Sequence, residues 1–141
     1  MVKQILAGET LPLRSAVLRN NLPLEECVFE TDSQGFHLGA FVDDKLVSIA
    51  TFFPEDYSEL GHGGYRLRGM ATHPNYHGKG YGTQLIQFAI NHLRNEGISY
   101  LWCNARSTAL GFYKKLNFMV VSDEFIVPGI GPHFNMSIQI Q

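Results

Sequence analysis

Three glycines within six residues, 77-HGKGYG-82, stand between a strand-like stretch and the most regular helical pattern in the chain. Upstream, 65-YRLRGMAT-72 alternates with period two. Tyr65, Leu67, Gly69 and Ala71 face one way and Arg66, Arg68, Met70 and Thr72 the other, which predicts a strand with two arginines on one face. Downstream, Leu85, Ile86, Ala89, Ile90 and Leu93 recur at helical spacing from about residue 81, with Arg94 in the last turn and Gly97 placed to cap the end. A glycine-rich turn that opens a helix leaves backbone N–H groups unpaired at the positive end of the macrodipole. It therefore suits phosphate oxygens without needing a charged side chain, and a pyrophosphate is the natural ligand. Two better-known glycine motifs fail on spacing. The P-loop would need glycine where His73 stands, and the dinucleotide fingerprint would need it at Thr83 or Leu85.

The rest of the chain parses into short elements around this centre. Residues 2 to 6 read as a first strand, and 10-TLPLRSAVLRN-20 as a helix with Thr10 as N-cap and Pro12 in its first turn. The runs 36-FHLGAFV-42 and 46-LVSIATFF-53 flank Asp43, Asp44 and Lys45 and predict a β-hairpin; residues 54 to 64 form a loop. A strand over 98-ISYLWCN-104 leads to a helix with Ser107 as N-cap, apolar positions Leu110, Phe112, Tyr113 and Leu116, and Asn117 as a left-handed stop. The chain closes with 118-FMVVSDEFIV-127, a turn at 128-PGIGP-132 and 133-HFNMSIQI-140, a second hairpin. Strands alternating with helices and hairpins predict an α/β (α+β) domain on a mixed sheet, a single unit for 141 residues.

Composition narrows the class. With 45% hydrophobic and 17% charged residues the chain is globular, and its longest apolar runs fall short of the roughly 18 residues that a membrane span needs. The segment 1-MVKQILAGETL-11 lacks the apolar core of a signal peptide. Cys27 and Cys103, each in an apolar setting without a CxxC partner, read as reduced buried thiols of a cytoplasmic protein. The net charge of −2 hides a division. Residues 1–60 set four cations against ten carboxylates, a net −6, whereas residues 61–121 set seven cations against Glu96, a net +6. The basic stretch could serve an anion; a nucleic-acid partner would show strongly salt-dependent binding and is not expected.

The stretch 67-LRGMATHPNYHGKGYGTQLI-86 resembles the acetyl-coenzyme A signature of the GNAT superfamily of N-acetyltransferases, [Q/R]xxGx[G/A] between a strand and a helix. A second segment, 109-ALGFYKKLNF-118, is similar to the family's AxxxYxKxGF, and the ending 124-EFIVPGIGPHF-134 resembles small bacterial members such as ElaA and YjcF. The resemblance implies the GNAT fold, acetyl-coenzyme A as co-substrate without a metal, and transfer of acetyl to a primary amine by direct attack. It implies a small-molecule or peptide acceptor, and it is compatible with a homodimer. By position, Gly78, Gly80 and Gly82, with His77, Lys79, Tyr81 and Thr83 beside them, would bind the pyrophosphate through backbone amides. Met70, Ala71 and Thr72 would pair with the pantetheine arm, and Tyr113 falls where the family carries the acid that protonates the departing thiolate.

Three departures stand out. His77 replaces the usual Gln or Arg, Arg106 stands where many members carry Asn, with Asn104 a substitute for the pantetheine contact, and Asn117 replaces a glycine. The base that deprotonates the amine has no signature; His133 is the first candidate, then Glu124 and His73. His73 and His77 stand four apart, but Pro74 prevents a helix from placing both on one face, so no zinc site is expected. A non-catalytic module that binds acyl-coenzyme A is the alternative to an enzyme. The acidic first sixty residues, if they form the acceptor side, would favour a cationic amine.

Overall fold

The computed structural model describes residues 1–141. Its order is β1 (Val2–Ile5), α1 (Ala7–Leu13), β2 (Phe36–Val42), β3 (Lys45–Pro54), β4 (Gly64–Thr72), α2 (Tyr81–Asn95), β5 (Tyr100–Arg106), α3 (Leu110–Lys115), β6 (Met119–Val120), β7 (Phe125–Val127) and β8 (Gly131–Gln139). The strands form one sheet in the order β1-β2-β3-β4-β5-β8-β6, with β7 also on β8. Every pairing is antiparallel except β4 with β5, which α2 connects as a crossover. The expected α/β architecture on a mixed sheet is present.

One face of the sheet carries Leu38, Ala40, Ala50, Phe52, Leu67, Leu101 and Met136. Leu85, Ile86, Ala89 and Leu93 of α2 and Tyr113 of α3 pack onto it in a continuous core. Truncating any of these fully buried leucines to alanine should cost about 2–5 kcal/mol. On the opposite face Leu13 packs with Ile49 and Ala71. Helix α2 ends as its sequence requires. Gly97 takes φ +78, its N–H bonds to Arg94 C=O, and Ile98 N–H reaches back to Leu93 C=O, the paired bonds of a Schellman cap. Asn117, at φ +72, closes α3 the same way, with Phe118 N–H on Tyr113 C=O.

The structure differs from the sequence expectation at five places. Helix α1 begins at Ala7, and the Leu6 N–H is held by Glu9 Oε1 at 2.9 Å, so Thr10 lies inside the helix, fully buried, its hydroxyl donating to Ala7 C=O. Pro12 then falls mid-helix, and the chain widens into a π-type turn over Arg14–Leu18. Strand β5 starts at Tyr100 and runs to Arg106, since Ile98 N–H is spent on the helix cap and Ser99 N–H on Gly63 C=O. Ser107 does not cap α3: a 3₁₀ turn over Ser107–Ala109 intervenes, and the hydroxyl donates to Glu124 Oε2 at 2.9 Å. The run 118–127 is broken between β6 and β7 at residues 121–124, where Asn135 N–H bonds to Ser122 Oγ instead of continuing the ladder.

The fifth difference shapes the site. In the β3–β4 register Ile49 faces Ala71 but Thr51 faces Arg68, so Gly69 and Met70 together oppose Ala50 in a bulge, with Gly69 at φ +66. The extra residue reverses the alternation. Met70 joins Leu67 on the α2 face, and Ala71 moves to the face of Arg66 and Arg68. The Gly69 position also admits no side chain: a Cβ there would lie 2.8 Å from Phe29 Cε2.

Candidate active site

Pairing between β4 and β5 stops at Leu67 opposite Cys103, although β4 continues to Thr72 and β5 to Arg106. Beyond that point the two parallel strands have no common hydrogen bonds, and a cleft opens between them. It consists of two cavities of about 610 and 550 Å³ that share Met70 and Phe112 in their walls.

The smaller cavity is lined by Thr72, Tyr76, His77, Gly78, Gly80, Tyr81, Gly82, Thr83, Gly111 and Lys115. Gly78 and Gly80 take φ +72 and +87, and a Cβ on either would meet nothing within 4 Å. The turn thus presents bare backbone to open space. The first bond of α2 runs from Gln84 N–H to Gly80 C=O at 3.0 Å, and Gly80 as N-cap brings no side-chain acceptor. The N–H groups of Tyr81, Gly82 and Thr83 are therefore left without partners in the helix, a set of donors at its positive end that matches phosphate oxygens. Gly82 has a different use. Its Cα faces Phe112, whose Cζ would lie 3.3 Å from an added Cβ, so the glycine lets α3 close on the turn. His77 is exposed and its Nε2 donates to Thr72 C=O at 2.8 Å, tying the turn to the end of β4. Lys79 does not line the cavity; its ammonium lies 5.7 Å from the Tyr76 ring centre.

The larger cavity is lined by Arg66, Leu67, Arg68, Gly69 and Met70 from β4 and by Cys103, Asn104, Ala105 and Arg106 from β5. Ala109, Phe112 and Tyr113 close one side, Leu18, Arg19 and Phe29 another, and Val127, Ile130 and His133 the third. Tyr113 is buried, and the one acceptor of its hydroxyl is Met70 Sδ, at 3.9 Å. Cys103 is its other polar neighbour. A buried phenol surrounded by sulfur holds a proton with no strong acceptor. Burial, reinforced by Cys103, raises the Tyr113 pKa well above the ordinary value, and burial pushes the Cys103 thiol up to about 12. Both groups are therefore protonated at neutral pH.

His133 is buried, lies across from Arg106 in the β5–β8 register and stacks on Phe125. Its Nδ1 is 2.9 Å from Gly131 C=O, which can only accept. Nδ1 thus carries the proton of the neutral ring, leaving the lone pair on Nε2. The other two base candidates are not brought to the cleft. Glu124 is exposed, lines neither cavity and accepts from Ser107. His73 caps a 3₁₀ turn, its Nδ1 accepting from Asn75 N–H at 3.1 Å, and it also lines neither cavity. Of the remaining sequence candidates, Asn104 and Arg106 line the larger cavity, while the Ala71 side chain is buried on Leu13 and Ile49, so only its backbone can serve the cleft.

Several lining residues carried no motif. Arg66 and Arg68 were legible as a pair on one strand face, but Arg19 and Phe29 come from an irregular stretch. Phe29 is positioned by a buried ion pair, whose Asp32 accepts from its N–H at 3.0 Å. Arg14, fully buried, donates to both oxygens of Asp32 at 2.8 and 2.9 Å, to Thr51 Oγ1 at 2.8 Å and to Cys27 C=O at 3.1 Å. His37 bridges Thr51 Oγ1 and Asp32 C=O. Burial disfavours the Asp32 carboxylate, but hydrogen bonds from Arg14 and Phe29 N–H and the Arg14 charge outweigh it and hold its pKa below the ordinary value. Phe29 is gripped by the guanidiniums of Arg14, 3.8 Å from its ring centre, and Arg68, 4.1 Å away. The acidic first sixty residues contribute no carboxylate to the cavity; their lining side chains are Leu18, Arg19 and Phe29. The expectation of an acidic wall fails because their carboxylates are turned elsewhere.

Comparison with known proteins places this geometry in a family. The model of the acetyltransferase (GNAT) family matches residues 5–118. An uncharacterized N-acetyltransferase of Bacillus subtilis (strain 168), YitI, is 40% identical over 138 residues, covering 96% of this chain and 93% of that protein. Escherichia coli ElaA superposes with a TM-score of 0.76 at 19% identity over 97% of this chain and 99% of its own. An aminoglycoside 6'-N-acetyltransferase crystallised with coenzyme A superposes with a TM-score of 0.81 at 14% identity, over 100% of this chain and 97% of its own.

Proposed function

The chain belongs to the GNAT family of acetyltransferases, and from that membership we propose that it transfers acetyl from acetyl-coenzyme A to a primary amine by direct attack, with Tyr113 as general acid. The observation that carries this reading is the continuity of the cleft: a phosphate cradle and an acceptor cavity meet at Met70 and Phe112, and a buried, protonated Tyr113 lies beside that junction. Acetyl-coenzyme A supplies an activated thioester whose carbonyl carbon accepts the amine and whose sulfur leaves.

The residues fit that co-substrate. The amides of Tyr81, Gly82 and Thr83 and the open turn at Gly78 and Gly80 hold the pyrophosphate, with His77 fixing the turn and Lys79 and Lys115 adding positive charge near it. The unpaired edge of β4 over Met70, Ala71 and Thr72 offers backbone groups to the pantetheine amides, as an added strand would use them, and Asn104 faces the arm from β5. The Met70 N–H polarises the carbonyl, a donor of a kind worth about 2.7–4 kcal/mol in acyl transfer. Tyr113 has no oxygen or nitrogen acceptor to compete with a developing thiolate, so its proton is available at the step that needs it. His133 Nε2, its neighbouring nitrogen fixed by Gly131 C=O, takes the proton of the amine.

Thiol release from acetyl-coenzyme A over a panel of amines tests the reading. Tyr113→Phe should lower kcat by about 10² to 10⁴ with coenzyme A affinity unchanged. Its melting temperature should also hold, because the hydroxyl gives up only a sulfur contact. Wild-type kcat in that variant would remove Tyr113 from the acid role. Coenzyme A binding without thiol release on any amine would mark a binding module instead of an enzyme.

A further inference from the structure

Four guanidiniums, those of Arg19, Arg66, Arg68 and Arg106, line the larger cavity together with His133, and no carboxylate does. Arg66 is already engaged, with Glu55 Oε2 at 3.1 Å and the Trp102 ring beneath it. Arg19, Arg68 and Arg106 have no carboxylate within ion-pair distance. Arg68 is nevertheless held in place over the Phe29 ring, 4.1 Å from its centre, and the same ring is held by the buried Arg14 at 3.8 Å. Resting on the proposed acetyl transfer, we propose that the amine acceptor carries an anionic group, a carboxylate or phosphate, bound by Arg68 with Arg19 and Arg106.

Like charges crowd one another here. Burial, then Arg66, Arg14 and Arg19, lower the Arg68 pKa, and only Asp32 opposes them. A bound oxyanion relieves that repulsion, and a guanidinium steadied by an aromatic ring loses less freedom on making a bidentate contact. The anion does not belong to the pyrophosphate, whose cradle lies on the far side of Met70 and Phe112, in the other cavity. The same field aids the reaction. An ammonium among guanidiniums loses its proton more readily, which favours the neutral, nucleophilic amine. A polycationic acceptor would meet repulsion at every step into the cavity.

The test pairs each carboxylate-bearing amine with its uncharged carboxamide and a phosphate-bearing amine with the corresponding alcohol, and uses wild type, Arg68→Gln and Arg19→Gln. Two measurements are made on each acceptor, kcat/KM for thiol release and calorimetric binding to the coenzyme A-loaded protein, and the coenzyme A affinity of each variant is measured beside them. One of the anionic acceptors should exceed its neutral counterpart by about tenfold or more in both, and Arg68→Gln should remove most of that ratio. The carboxylate and phosphate arms decide which anion the site takes. Equal binding of charged and uncharged members, or a ratio that survives both substitutions, overturns the proposal. So does an Arg68→Gln effect on coenzyme A affinity alone, which would assign the anion to the co-substrate. Turnover indifferent to acceptor charge sinks this inference and leaves the acetyltransferase reading standing. Absence of all turnover sinks that reading, while the binding arm still reports on the anion.

Discussion

Replacing Asp32 with asparagine removes the counter-ion of a guanidinium that has no access to water. Arg14 is 0% exposed and Asp32 8%, and two hydrogen bonds of 2.8 and 2.9 Å join them. Asparagine keeps the shape but turns an N–H₂ group toward one of the Arg14 donors, so one bond is lost and one repulsive contact is made. Breaking a buried pair from one side costs about 3–5 kcal/mol. That is a large share of the roughly 5–15 kcal/mol that holds a domain together, and it lowers the melting temperature of a chain this size by about 10 °C. Urea unfolding of Asp32→Asn, Arg14→Met and the double variant should show the double to be much less destabilised than the sum of the singles, since it leaves no unpaired charge. The pH dependence has a definite sign. The Asp32 pKa is depressed in the folded state, so its stabilisation is fully present above the ordinary value of 3.8 and disappears as pH falls through the lower folded value. Wild type and Asp32→Asn should therefore differ by a constant amount above about pH 5 and converge in acid. Because Phe29 N–H also bonds to Asp32 and its ring walls the acceptor cavity, the variant should raise KM for the amine without changing coenzyme A affinity. A loss under about 1 kcal/mol, additivity in the double variant, or no convergence in acid would refute the reasoning.

Two glycines separate steric from conformational cost. Gly69→Ala places a Cβ 2.8 Å from Phe29 and at φ +66, so it should destabilise by more than the roughly 1–2 kcal/mol of the dihedral alone and impair the acceptor KM. Gly78→Ala, with open space around it, should cost only that dihedral term and show its effect in coenzyme A binding measured by calorimetry. Cys103, 2% exposed and with its thiol pushed up to about 12, should resist iodoacetamide at pH 8 in the folded protein and react only in denaturant, as followed by mass spectrometry.

Much of the fold was legible because its signals are local. The alternation of β4 as far as Arg68, the helical spacing of α2, the left-handed positions of Gly97 and Asn117, and the Asp43-Asp44 turn, at φ +48 and +63, each depend on a few neighbouring residues. The errors have long-range causes. The bulge at Gly69 is set by the register of β4 against β3, about twenty residues upstream, and nothing in 65-YRLRGMAT-72 announces that two residues will share one partner. Thr10 looked like a cap because Ser and Thr favour that position, yet Glu9 reaches back to Leu6 and starts the helix one turn sooner. The phosphate cradle was readable for the same local reason as α2: three glycines and a helix start lie within one turn of chain.

The acceptor side was misread because charge summed along a segment ignores where the side chains go. In the first sixty residues Asp32 turns inward to Arg14, Glu9 serves a helix start, Glu55 pairs with Arg66 and Asp56 accepts Gly64 N–H. Four of the ten carboxylates are thus spent on structure, the other six are exposed and line neither cavity, and what that half presents to the larger cavity is Leu18, Arg19 and the Phe29 ring that steadies Arg68. The basic middle stretch is likewise divided. Lys115 lines the phosphate end, while Arg66, Arg68 and Arg106 line the other. Arg66 is compensated by Glu55, but a protein that needed its cations only for coenzyme A would have no reason to hold Arg19, Arg68 and Arg106 uncompensated beyond the point where the phosphates end. Their position, more than their number, is what argues for the anionic acceptor proposed above over a cationic one.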